Sequence, residues 1–175
     1  MARNPLIRLL PLLALLSAAP AAAQVPANVQ MYAVKFLCGT VDRVASPYRA
    51  VEPGNYGTIV NVNNLSLANA TVNLFQSARV AGMQSVGLAN VTLQAGQVST
   101  VDCAAIVQAL AQVGFQADGR FVEGYVMISY YSNQIDPAIL SLDVTAAYSY
   151  SGQKADTGAS VQVTRIEPRA MFQPE

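Results

Sequence analysis

The sequence predicts an all-β protein, an antiparallel immunoglobulin-like β-sandwich of about eight strands with one short helix. Three observations carry this expectation. Apolar and polar residues alternate with period two in one stretch after another, the pattern of sheets with one wet face. Turn residues punctuate those stretches every ~8–15 residues. Only Cys103–Val113 shows helical spacing, and Asp102 stands before it as a cap.

Residues 1–23 read as a signal peptide. Arg3 and Arg8 form a basic start, Leu9–Ala19 is apolar, and Ala21-Ala22-Ala23 is a small-residue cleavage site. The apolar run is shorter than the ~20 residues that span a bilayer. Cleavage after Ala23 leaves residues 24–175 as a single β-sandwich domain, large enough to bury a core of its own. It removes two basic residues and no acidic one, leaving eight against ten, a net charge of −2. That balance argues against nucleic acid as a partner, and no integral membrane segment remains. The expected location is the periplasm or the extracellular space. An even cysteine count in such an oxidising compartment reads as a disulfide, Cys38–Cys103. Closing the loop Gly39–Asp102 is worth roughly 4 kcal/mol in a chain-entropy model.

In chain order, Met31–Cys38 is the first strand, with Tyr32, Val34, Phe36 and Cys38 on one face. Gly39–Ala50 reads as a loop. Pro53-Gly54 fits the central positions of a type II turn, which needs positive φ at the glycine. Thr58, Val60 and Val62 then alternate with Ile59, Asn61 and Asn63. Ala70–Val80 follows as a strand, Gly82–Gly87 as a loop or edge strand, then Asn90–Leu93 and Val98–Val101, separated by a turn at Gln94–Gln97. In the helix, Cys103, Ile106, Val107 and Leu110 form the apolar stripe, and Gly114 ends it. Asp118-Gly119 is a turn. Phe121–Tyr131 is the longest strand, with Val122, Gly124, Val126, Ile128 and Tyr130 on one face and Glu123, Tyr125, Met127 and Tyr131 on the other. Asn133–Pro137 is a loop. Leu140–Tyr150 mirrors the strand before it and is a candidate to pair with it. Ser151–Gly158 is turn-rich, Ala159–Ile166 is the last strand, and Glu167–Glu175 is a tail.

Three stretches together resemble a loose group of small exported bacterial β-sandwich proteins of unassigned function. They are Val34-Lys-Phe-Leu-Cys-Gly39, Val51–Thr58 leading into Val60-Asn-Val-Asn63, and Leu142-Asp-Val144 with Tyr148. The resemblance implies fold and export. It implies no catalytic residue.

The chain has no histidine. That removes the commonest general base and metal ligand, and with both cysteines in the bridge a thiolate nucleophile goes too. No phosphate-binding glycine motif is present. Carboxylates remain: Glu52, Glu123 and Asp143 are the candidates for the paired acids a glycoside hydrolase would need. Asp118 and Asp136 lack the spacing of a calcium loop. The reading is therefore a non-enzymatic structural or interaction module with no cofactor and no metal; protein contact or self-association is the expected partnership. Its candidate contact face is Glu123, Tyr125, Met127 and Tyr131, since tyrosine and methionine in line concentrate contact energy. Tyr130 and Tyr148 are expected to close the core edge. The alternatives are a small-molecule or glycan binder using a tyrosine-lined face, and a carboxylate hydrolase. Asn64-Leu-Ser66, Asn69-Ala-Thr71 and Asn90-Val-Thr92 match glycosylation sequons, which the resemblance to bacterial proteins implies are unmodified.

Overall fold

The computed structural model describes residues 30–42, 51–67, 70–132, 141–152 and 159–170, with the backbone alone for Tyr131, Ser132, Arg169 and Ala170. The segments expected to be a signal peptide and the Asn133–Pro137 loop, the sequon at Asn69, most of the expected turn after Ser151 and the end of the tail lie outside these residues.

The described residues form nine strands and one helix: β1 (Gln30–Val41), β2 (Gly54–Asn64), β3 (Val72–Val80), β4 (Val86–Leu93), β5 (Val98–Asp102), α1 (Cys103–Gln112), β6 (Val122–Ser132), β7 (Leu142–Gly152), β8 (Ser160–Ile166) and the short β9 (Arg169–Ala170). The strand ladders are antiparallel and follow one path, β4-β3-β6-β1-β2-β7-β8, with β5 also on β2 and β9 on β1. The alternation that predicted strands also predicted their faces. Tyr32, Val34, Phe36 and Cys38 of β1, Val60 and Val62 of β2, Val126 and Ile128 of β6, and Val144 and Ala146 of β7 all enter one buried cluster.

β1 belongs to two ladders. Gln30–Cys38 pair with β6, and Gly39–Val41 pair with β2. The change falls at Gly39, whose φ is +96° and where a Cβ would collide with the Arg120 carbonyl; only glycine takes that conformation without strain. One ladder (β4, β3, β6, β1) is thereby joined to the other (β5, β2, β7, β8) by a single continuous strand.

The same edge of β2 carries β1 at Gly54–Tyr56 and β5 at Ile59–Asn63. The disulfide sits in the gap between them. Cys38 and Cys103 are bonded with Cα atoms 5.5 Å apart, and the bridge is that of a chain folding in an oxidising, non-cytoplasmic location. Thr58 faces it. The Thr58 N–H donates to Cys103 Sγ at 3.1 Å, and its hydroxyl accepts from Leu37 N–H at 2.9 Å and donates to Leu37 C=O at 3.0 Å.

α1 follows directly. Asp102 Oδ1 accepts from Ala105 N–H at 2.8 Å, so the predicted cap is present. Ile106, Ala109 and Leu110 are buried. At the far end Gly114 N–H reaches Ala111 C=O and Phe115 N–H reaches Leu110 C=O, the paired bonds of a Schellman ending.

Two local expectations are corrected. Gly54 does not take positive φ and is the first residue of β2 rather than a turn centre. Glycine is needed there for space, because a Cβ would lie 2.5 Å from the Tyr150 ring. β6 and β7 do not pair: β1 and β2 stand between them. Sequence neighbours of similar pattern need not be sheet neighbours, and here the long β1 takes the place beside β6.

Candidate functional site

The face proposed from sequence lies on the outer side of β6. Val122, Val126 and Ile128 are buried, so alternation turns Glu123, Tyr125 and Met127 outward. Tyr125 is 49% exposed; Glu123 and Met127 are half-buried. Tyr131 continues the strand opposite Asn73, but its side chain is not among the described residues.

Strand register supplies neighbours that the sequence could not assign. Tyr125 stands opposite Lys35 of β1 and opposite Arg79 of β3. The ring thus has a cation on either side, in one cross-strand row. Lys35 Nζ lies 3.1 Å from Glu123 Oε2, so one of the two cations is already shared with a carboxylate. On β3, four residues before Arg79, Phe75 is also exposed. Between the row and the Val80–Met83 turn lies an open depression of about 560 Å³, lined by Lys35, Arg79, Met83, Glu123 and Tyr125 among others.

The three candidate carboxylates lie on different elements. Glu123 lies on the β6 ladder and Asp143 on the β7 ladder, where Asp143 Oδ1 meets Arg165 Nε at 3.1 Å. Glu52 is elsewhere again, accepting the Tyr56 hydroxyl on its backbone carbonyl at 2.7 Å. Of these three acids only Glu123 lines either of the two depressions formed by the described residues. Among the described residues no group of three or more His, Cys, Asp or Glu is placed to hold a metal.

A second depression, about 340 Å³, opens beneath β1 and is lined by Lys35, Leu37, Tyr56, Tyr148, Tyr150 and Gln162 among others. Its tyrosine hydroxyls are engaged. Tyr148 donates to Lys35 C=O at 2.9 Å, Tyr56 to Glu52 C=O, and Tyr150 to Pro53 C=O at 3.1 Å. The Tyr56 and Tyr150 rings lean together at 5.0 Å, with Phe121 edge-on to Tyr56 at 5.3 Å. What these rings offer a ligand is therefore their faces rather than free hydroxyls.

Other tyrosines are structural, as expected for Tyr130 and Tyr148. Tyr130 is buried, stacks on Tyr32 at 6.2 Å and donates to Gln30 Oε1 at 2.7 Å. Burial pushes the Tyr32 hydroxyl up to about 12, aided by the neighbouring Tyr130. Burial also raises Tyr148, against the opposing pull of the Lys35 ammonium. All remain protonated donors at neutral pH.

The first sequon is closed by the fold. Asn64 is fully buried, and its Nδ2 donates to Ala70 C=O and Leu93 C=O at 3.2 and 3.1 Å. Gln76 is buried as well and donates to Ser99 Oγ at 3.1 Å. Neither role was visible in sequence, because a polar residue on an inward position reads as a break in the pattern until its partner is known.

No protein-family model and no curated protein matches the chain. Among solved structures it is similar to the crystal structure of Thermotoga maritima 1070, at 9% identity over 81% of this chain and 94% of that one, with a TM-score of 0.43. A likeness that distant bears on neither function nor mechanism.

Proposed function

We propose that this chain is an exported, non-enzymatic interaction module, and that its contact surface is the outer face of the β3–β6–β1 ladder centred on Tyr125. The observation that carries the reading is the Arg79–Tyr125–Lys35 row: a half-exposed aromatic ring flanked in register by two long cationic side chains, beside a depression of about 560 Å³. Tyrosine and arginine are the residue types that concentrate energy at protein contacts. The disulfide supports export, and the placement of Glu123 and Asp143 on strands that are not neighbours favours this reading over a carboxylate hydrolase.

The test is a Tyr125→Ser, Tyr131→Ser double variant. The reading expects a melting temperature within a few degrees of the parent, because Tyr125 is half-exposed, together with loss of the bound protein partner in co-purification. A variant that melts much earlier, from a parent that retains no partner, contradicts it.

A second reading, a small-molecule or glycan binder, is favoured by the depression lined by Tyr56, Tyr148 and Tyr150, since sugar rings stack on aromatic faces. It predicts saturable binding of neutral oligosaccharides that Tyr148→Ser weakens and Tyr125→Ser does not.

A further inference from the structure

The end strands of the two ladders are treated differently. β4 ends one ladder; its register against β3 shifts at Gln76/Ser77, and α1 packs against it. β8 ends the other. It pairs with β7 on one side and with no strand among the described residues on the other. Ser160–Arg165 are exposed on both faces, Val161 at 69% and Val163 at 66%. Proteins that stay monomeric blunt such an edge with lysine, proline, a bulge or a covering element. Between Ser160 and Ile166 there is neither lysine nor proline, and the single charge, Arg165, is turned to Asp143 of β7.

We infer that β8 joins a second copy of this chain, edge to edge and antiparallel, about a two-fold axis at Val163. Three features select a second copy over another occupant. Val163 is the centre of the strand, so an axis there pairs all of β8. Val163 then meets itself, Val161 meets Arg165, Gln162 meets Thr164 and Ser160 meets Ile166, with no like charges opposed. Finally, Ile59, Ala147 and Val163 stand in one cross-strand row on the outer face, Ile59 being 45% exposed. The axis continues that row into its own copy on the same face. A two-fold contact of this self-complementary kind is the commonest oligomer geometry, and main-chain addition to an open edge is a recurring mode of recognition. The interface is small and of the concentration-dependent kind. It lies on the opposite ladder from Tyr125, so its failure and the failure of the Tyr125 reading are separable.

The test uses the oxidised chain as purified from its exporting host. Sedimentation over a concentration series should show a monomer–dimer equilibrium, and Val163→Lys should weaken it at least tenfold while leaving the melting temperature of the dilute protein unchanged. Val163→Cys should form a cross-linked dimer on mild oxidation, because directly opposed cross-strand Cβ atoms lie about 4.5–5.5 Å apart, close to disulfide reach. Val161→Cys, whose twin lies two positions past the axis on the far side, should not. A monomer at every concentration overturns the inference and points instead to an edge covered by a segment of the same chain, such as residues 24–29 or 171–175. A dimer that survives Val163→Lys, that Val163→Cys fails to link, or that Val161→Cys links equally well also overturns it.

Discussion

β1 and β8 both present a main-chain edge without a full-length neighbouring strand, and the protein treats the two in opposite ways. Beyond Gly39 β1 is paired to β2, but over Lys35–Leu37 its outer edge looks across to the other ladder. There side chains stand in for a strand. Thr58 satisfies both the N–H and the C=O of Leu37, Tyr148 donates to Lys35 C=O, and the disulfide closes the space beside them. β8 receives no such cover among the described residues. The difference teaches that an open edge is neither good nor bad in itself. One placed over the core must be satisfied from within, since buried unpaired backbone groups cost about 1–3 kcal/mol each. One at the rim can be left to water until a partner strand arrives.

The sharpest way to break the comparison is to unseal β1. Cys38→Ala should cost about 2–5 kcal/mol by chemical denaturation, because it frees the loop Gly39–Asp102 and opens the gap between β1 and β5. A cost near zero would mean that the bridge only decorates an edge already closed. Thr58→Val comes next. It keeps the shape and removes the hydroxyl from a fully buried position, stranding the Leu37 N–H and C=O. The expected loss is about 1–3 kcal/mol. Tyr148→Phe removes one solvent-exposed hydrogen bond to Lys35 C=O and should cost at most about 1 kcal/mol. In contrast, Val163→Lys should change the stability of the monomer by no more than about 0.5 kcal/mol, as surface substitutions do.

Much of this fold was legible. The period-two faces of β1, β2 and β6 match the buried residues, and Asp102 with Gly114 marked the two ends of α1. The disulfide followed from two cysteines and the expectation of export. Pairing was the part that could not be read. Nothing local says that β1 rather than β7 lies beside β6, and that choice separates Glu123 from Asp143 and sets Lys35 and Arg79 around Tyr125. Gly54 was misread for a related reason: Pro-Gly suggests a turn, while the need for a glycine comes from the ring of Tyr150, far along the chain. Alternation in Ser160–Ile166 is that of a strand with one buried face, yet its neighbours leave both faces in water.

Amide hydrogen exchange followed over a dilution series tests the contrast between the two edges most directly. The Leu37 amide, bonded to the Thr58 hydroxyl, should be equally protected at every protein concentration. The amides of Val161–Arg165 that point away from β7 should exchange freely in dilute protein and gain protection together as concentration rises. Protection of the β8 amides that does not change with concentration, or that never appears, would contradict the account.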